Sequence, residues 1–123
     1  MPPLTPTTLQ NYIAHFRQRQ IRDRQQQQQH HQQGWQQATI AADILKQSYG
    51  VKTVFLFGSL LSLETVHLNS DMDLAVGGLL LEDYSEAVGT LLLSLKGISI
   101  DLVRLEAAPP SLKTAILQTG VKL

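Results

Sequence analysis

Cysteine is missing from this 123-residue chain, which excludes disulfides and thiolate metal sites. Charge is scarce: Asp, Glu, Lys and Arg together make 16%, and ten acidic side chains cancel ten basic ones. That balance argues against a protein whose main task is to neutralise a long polyanion, so direct nucleic-acid binding is not expected. No stretch approaches the roughly 18 to 20 uncharged apolar residues of a membrane span. The opening "MPPLTPTTLQ" also lacks the basic region and apolar core of a secretory signal. These absences lead to the expectation of a soluble, cytoplasmic protein without membrane contact. What is present, a hydrophobic content of 43%, suffices for the core of one compact domain.

The composition changes near Gly50. Before it, "RQRQIRDRQQQQQHHQQGWQQ" runs from Arg17 to Gln37 with few large apolar side chains. Gln and Arg are good helix formers, so a long, mostly solvated helix is expected, with disorder of the central Gln run as the competing reading. Thr5 and Pro6 suit a helix start, and Ile13 and Phe16 are spaced for one face. Trp35, Ala38, Ala42, Leu45 and Tyr49 continue as an apolar stripe that Gly50 can end in a left-handed cap, with Gly34 a weak point on the way. His30-His31 lacks the i, i+4 spacing of a two-histidine metal site and is read as surface, as is His67. Arg17, Arg19, Arg22 and Arg24 form a basic group, read as a solvated face ahead of a contact with an acidic partner or RNA.

After Gly50 the pattern alternates. "VKTVFLF" (Val51 to Phe57), "DMDLAV" (Asp71 to Val76) and "ISIDLVRL" (Ile98 to Leu105) read as strands. "EDYSEAVGTLLLSL" (Glu82 to Leu95) reads as a helix ended by Gly97, and "PSLKTAILQT" as a last helix opened by Pro109 and Pro110. The expected fold is α+β (mixed α/β): a small sheet of three to four strands flanked by helices. A division into a Gln-rich extension, 1–37, and a domain, 38–123, is expected.

Two aspartates in one apolar strand need an explanation. Side chains alternate across a strand, so Asp71 and Asp73 share a face, opposite Met72 and Leu74. Asp101, between Ile100 and Leu102, also faces away from its apolar neighbours. If the strands are adjacent, three carboxylates converge, and at an intermediate dielectric they would repel one another by on the order of several kcal/mol unless cations neutralise them. Such oxygen ligands suit Mg²⁺, which completes its shell with water and phosphate. Phe57 leads into Gly58-Ser59, where glycine lets the backbone approach a ligand and serine offers a hydroxyl and an N–H. Asp83 and Glu106, near element ends, read as caps or solvated charges.

Gly58-Ser59 after a hydrophobic strand, Asp71-x-Asp73 and a third Asp, Asp101, on a later strand resemble the nucleotidyltransferase superfamily that includes DNA polymerase beta, and within it the minimal nucleotidyltransferases. The likeness runs from about Ala38 through "LQTGVKL". It implies transfer of a nucleoside monophosphate from a nucleoside triphosphate to a hydroxyl with two Mg²⁺ ions. Asp71 and Asp73 would hold both ions, Asp101 would help bind one and favour deprotonation of the attacking hydroxyl, and Gly58 and Ser59 would fix the departing β- and γ-phosphates. Many relatives carry arginines after Gly-Ser, where this chain has "LLSLET" (Leu60 to Thr65). Either Lys52, Arg104 or a partner would then supply the cation, or nucleotide affinity is poor.

So short a domain leaves the acceptor to another chain. Minimal nucleotidyltransferases commonly act as the antitoxin of a HEPN-domain ribonuclease toxin, transferring AMP from ATP to a tyrosine on it. That is the leading expectation. Alternatives are an antitoxin or regulator that neutralises its partner by binding alone, and an oligomeric small-molecule nucleotidyltransferase.

Overall fold

The structure, a computed structural model, describes residues 6–67 and 70–123. Helix α1 (Pro6–Tyr49) takes in the whole Gln tract without a break and passes through the 37/38 position. The expected cap at Thr5 lies outside the described residues. Near its start α1 carries Leu9, Tyr12, Ile13 and Phe16 on one stripe, all exposed. Further on the stripe turns inward: Ala38, Ala41, Ala42 and Leu45 are buried, with Trp35, Ile44 and Tyr49 packed partly against them. Gly50, at φ 65°, ends the helix as expected, and the Val51 N–H returns to the Leu45 carbonyl at 3.2 Å.

Two of the three strands are shorter than the apolar runs that suggest them, and the middle one keeps its length but starts and ends one residue later. They are β1 (Thr53–Phe57), β2 (Met72–Gly77) and β3 (Ile100–Arg104). Asp71 therefore precedes its strand rather than opening it. The expected helix from Glu82 begins instead as a 3-10 turn, Leu81–Asp83, and becomes α2 (Tyr84–Ser94). It ends at Leu95, already extended at φ −101°, before Gly97 is reached. Helix α3 (Pro110–Thr119) follows Pro109. Val121–Lys122, for which the sequence pattern predicts no strand, forms β4 beside β1.

The sheet order is β3-β2-β1-β4, with β1 antiparallel to both β2 and β4 and β2 parallel to β3. The two-residue period sorts its side chains into two layers. Val54, Leu56, Met72, Leu74, Val76 and Leu102 join the core under α1 and α2. Phe55, Phe57 and Ala75 turn to the other face, where Leu112 and Ile116 of α3 cover them with Leu105. Asp73 and Asp101 alternate with Leu74 and Leu102, so they fall on this second face, at the end of the sheet where β1 finishes.

Candidate active site

Asp73 is the centre of the arrangement. On one side it pairs with Phe57 of β1, and on the other with Asp101 of β3, residue for residue across the parallel ladder. Asp73 is half-buried, while Asp71 and Asp101 are exposed. Gly58 follows Phe57 at φ 83°, a left-handed conformation that favours glycine. A Cβ there would overlap the Asp73 Oδ2 atom, so the Gly58 backbone passes directly against the carboxylate. Both demands, the backbone angle and the close approach, account for glycine at this point.

Ser59–Leu61 forms a 3-10 turn with Gly58 at its head. The Ser59 hydroxyl donates to Ser70 Oγ at 2.9 Å, and the His67 N–H donates to the same oxygen at 2.8 Å. The Thr65 hydroxyl donates to the Ser59 carbonyl at 2.8 Å. Ser70 is buried, and its neighbour along the chain is Asp71. The two halves of the sequence motif are thus joined through Ser70 as well as through Gly58 and Asp73.

The electrostatics are one-sided. Burial, then the charges of Asp101 and Asp71, push the Asp73 carboxyl up from 3.8 to about 6. A divalent cation would reverse that push, and carboxylate oxygens are hard ligands suited to Mg²⁺. Among the described residues, no three carboxylate, imidazole or thiol groups already close around one metal position.

Neither expected cation reaches this end of the sheet. The Lys52 N–H bonds the Gly77 carbonyl at 2.9 Å, at the far end of β1. Six residues of nearly extended chain, about 20 Å, separate it from Gly58. Arg104 lies opposite Val76, and its Nε donates to the Leu79 carbonyl at 2.8 Å. Three residues from Asp101, it also projects from the opposite face of β3.

The reading of His30 and His31 as surface residues is corrected by the structure. Both are half-buried: His30 Nε2 donates to the Ser70 carbonyl at 3.2 Å, and His31 Nε2 to the Leu61 carbonyl at 3.4 Å. Gln27 Nε2 donates to the Val66 carbonyl at 3.3 Å and Trp35 Nε1 to the Leu60 carbonyl at 3.1 Å. Gly34, expected to weaken the helix, is where Leu60 rests, since a Cβ would come within 2.5 Å of Leu60 Cδ1. The spacing 27, 30, 31, 34, 35 marks one helical face, a signal present in the sequence but hidden by its polar composition.

The strand order, the Gly58 turn and the in-register aspartates define a nucleotidyltransferase domain. Residues 40–123 match the family described as Polymerase beta, Nucleotidyltransferase, and the chain belongs to that family. Among solved structures it is similar to a toxin-antitoxin crystallised with AMP-PNP, at 29% identity and a TM-score of 0.55 over 67% of this chain and 68% of that one. It is also similar in fold to the toxin-antitoxin MntA-HepT, at 24% identity and a TM-score of 0.50 over 70% of this chain and 67% of that one. No curated protein matches it. The matched length leaves the Gln-rich front outside the family region.

Proposed function

We propose that the chain is the antitoxin of a toxin–antitoxin pair and transfers AMP from ATP to a hydroxyl, a tyrosine, on its partner, a HEPN-domain ribonuclease. The observation that carries this reading is Asp73 held between Asp101 and Gly58, a centre on which the acting charges among the described residues, Asp101 and Asp71, are negative. The similar toxin-antitoxin crystallised with AMP-PNP, an ATP analogue, supports the choice of nucleotide. The exposed stripe Leu9, Tyr12, Ile13 and Phe16 supports a protein partner, because a helix rarely leaves such a face uncovered.

Asp71, Asp73 and Asp101 would hold two Mg²⁺ ions, which when bound neutralise charge on the transferred phosphoryl group. Gly58 and Ser59 would receive the β- and γ-phosphates and orient the triphosphate. Asp101, exposed beside Asp73, would favour loss of the proton from the attacking hydroxyl. The acceptor oxygen bonds to the α-phosphorus and pyrophosphate leaves. Positioning by the protein supplies the rest of the rate. The cytoplasm, where ATP is at hand, is the compartment that suits this reading.

The test is transfer of nucleotide label to the partner by the wild type and by the double variant Asp71→Asn with Asp73→Asn. A fall of at least about a hundredfold is expected, the scale of losing a charge-stabilising group. Full labelling by the double variant would remove the aspartates from the reaction.

One observation favours a second reading, inhibition of the partner by binding alone. "LLSLET" offers no cation to a triphosphate, and Lys52 and Arg104 sit elsewhere. On that reading the double variant still neutralises the partner.

A further inference from the structure

The connection from Gly58 to Asp71 joins two antiparallel strands, yet it is far longer than the usual hairpin turn of about two to five residues. Carbonyls in such a segment ordinarily turn to water. Here the carbonyls of Leu60, Leu61, Val66 and Ser70 each accept from a side chain of α1, and those donors, Trp35, His31, Gln27 and His30, share one helical face. Gly34, on the same face, lets Leu60 seat against the helix backbone with no measurable exposure. The contacts grip both ends of the segment: Leu60 and Leu61 follow Ser59, and Ser70 precedes Asp71. Every one of these α1 residues lies ahead of the family-matched region, which begins at residue 40.

We propose that this face of the Gln-rich extension is a positioning device that fixes the segment bearing Ser59 and leading into Asp71, so that the nucleotide meets a preformed site. None of the α1 residues touches the reacting groups; each acts through a carbonyl of the segment. The proposal rests on the nucleotidyltransferase reading for its consequence, but its structural part stands apart from it. It also assigns the low-complexity front a role in the site's geometry rather than in solubility. A helix can do this because its side chains at 27, 30, 31, 34 and 35 are fixed relative to one another by the same backbone that anchors Ala38 to Leu45 in the core.

The experiment uses the full chain. Amide hydrogen exchange over residues 59–67 and Mg²⁺-dependent affinity for AMP-PNP are compared between the wild type and a triple variant, Gln27→Ala, His30→Ala and Trp35→Phe. Losing three side-chain hydrogen bonds should speed exchange in the segment, and weaken nucleotide binding, by about tenfold or more. Amides of 72–76 should keep their protection. His30→Gln, which places a donor near the position of the imidazole Nε2, should recover more than His30→Ala does. If the triple variant loosens the sheet as well, Trp35→Phe alone, which removes the donor and keeps a smaller aromatic ring in its place, makes the same comparison. Unchanged exchange and unchanged affinity would overturn the proposal, as would equal behaviour of His30→Gln and His30→Ala. A wild type that binds no nucleotide would defeat the ATP reading instead, and exchange over 59–67 would then decide the positioning role alone.

Discussion

The two ends of the sheet treat a carboxylate in opposite ways. Where β1 finishes, Asp73 faces Asp101 and Asp71, and burial with like charge raises its carboxyl to about 6. At the other end, the Gly78 N–H donates to Glu106 Oε1 at 2.6 Å. That bond and its own backbone N–H, aided by Arg104 and Lys113, hold the Glu106 carboxyl below the usual range. Glu106 finds a donor within the chain, whereas the charges that act on Asp73 among the described residues are both negative, and the Gly58 backbone lies against it. The difference separates a carboxylate satisfied by donors within the chain from one raised by burial and like charge.

Gly58→Ala should disturb the site end most. It forces a side chain into a positive φ and onto the Asp73 carboxylate, at a cost of about 1–3 kcal/mol from the backbone alone, read by chemical denaturation. Nucleotide binding should fall with it. A similar loss from Gly97→Ala, at an open glycine also of positive φ, but with nucleotide binding retained, would assign the binding effect to the carboxylate contact.

A smaller effect comes from pH. In the metal-free chain the folded state holds the Asp73 proton more tightly than the unfolded state does. Asp73 therefore contributes most at low pH, and stability should decline as pH rises from about 4 to about 6. Asp73→Asn should remove that decline, and Mg²⁺ should counter it in the wild type. A stability curve with the same slope in both proteins would show that Asp73 is not strained.

Glu106→Gln should give the smallest change and the opposite sign. A depressed carboxyl stabilises the fold above its ordinary range near 4.5 and loses that contribution as pH falls below it. The variant should be slightly weaker than the wild type at neutral pH, a difference held small by solvent screening of this exposed group, with the gap closing in acid. Nucleotide binding should be untouched, which would keep the two ends distinct.

The fold was readable where its physics is local. β-branched runs, the Gly50 cap and alternation about Asp73 and Asp101 each leave a pattern within a few residues. β4 left none, since Val121–Lys122 is too short to alternate and exists by pairing with Phe55 and Leu56. Strand ends shifted because Val51 and Leu105, apolar and buried, pack in the core outside the ladder. The motif residues Gly58, Ser59, Asp71, Asp73 and Asp101 stand out by type and spacing. Gln27, His30 and His31 did not, because donors to loop carbonyls have no partner that a sequence can display.

On the proposed function, the carboxylate end of the sheet serves transfer of a nucleotide, not of a phosphate. ATP labelled at the α-phosphorus and ATP labelled at the γ-phosphorus, each given to the chain with Mg²⁺ and its partner, separate the two. Label from the α-position on the partner, with γ-label released as pyrophosphate, is the predicted result. Transfer of γ-label, or of neither while the partner is still silenced, would contradict it.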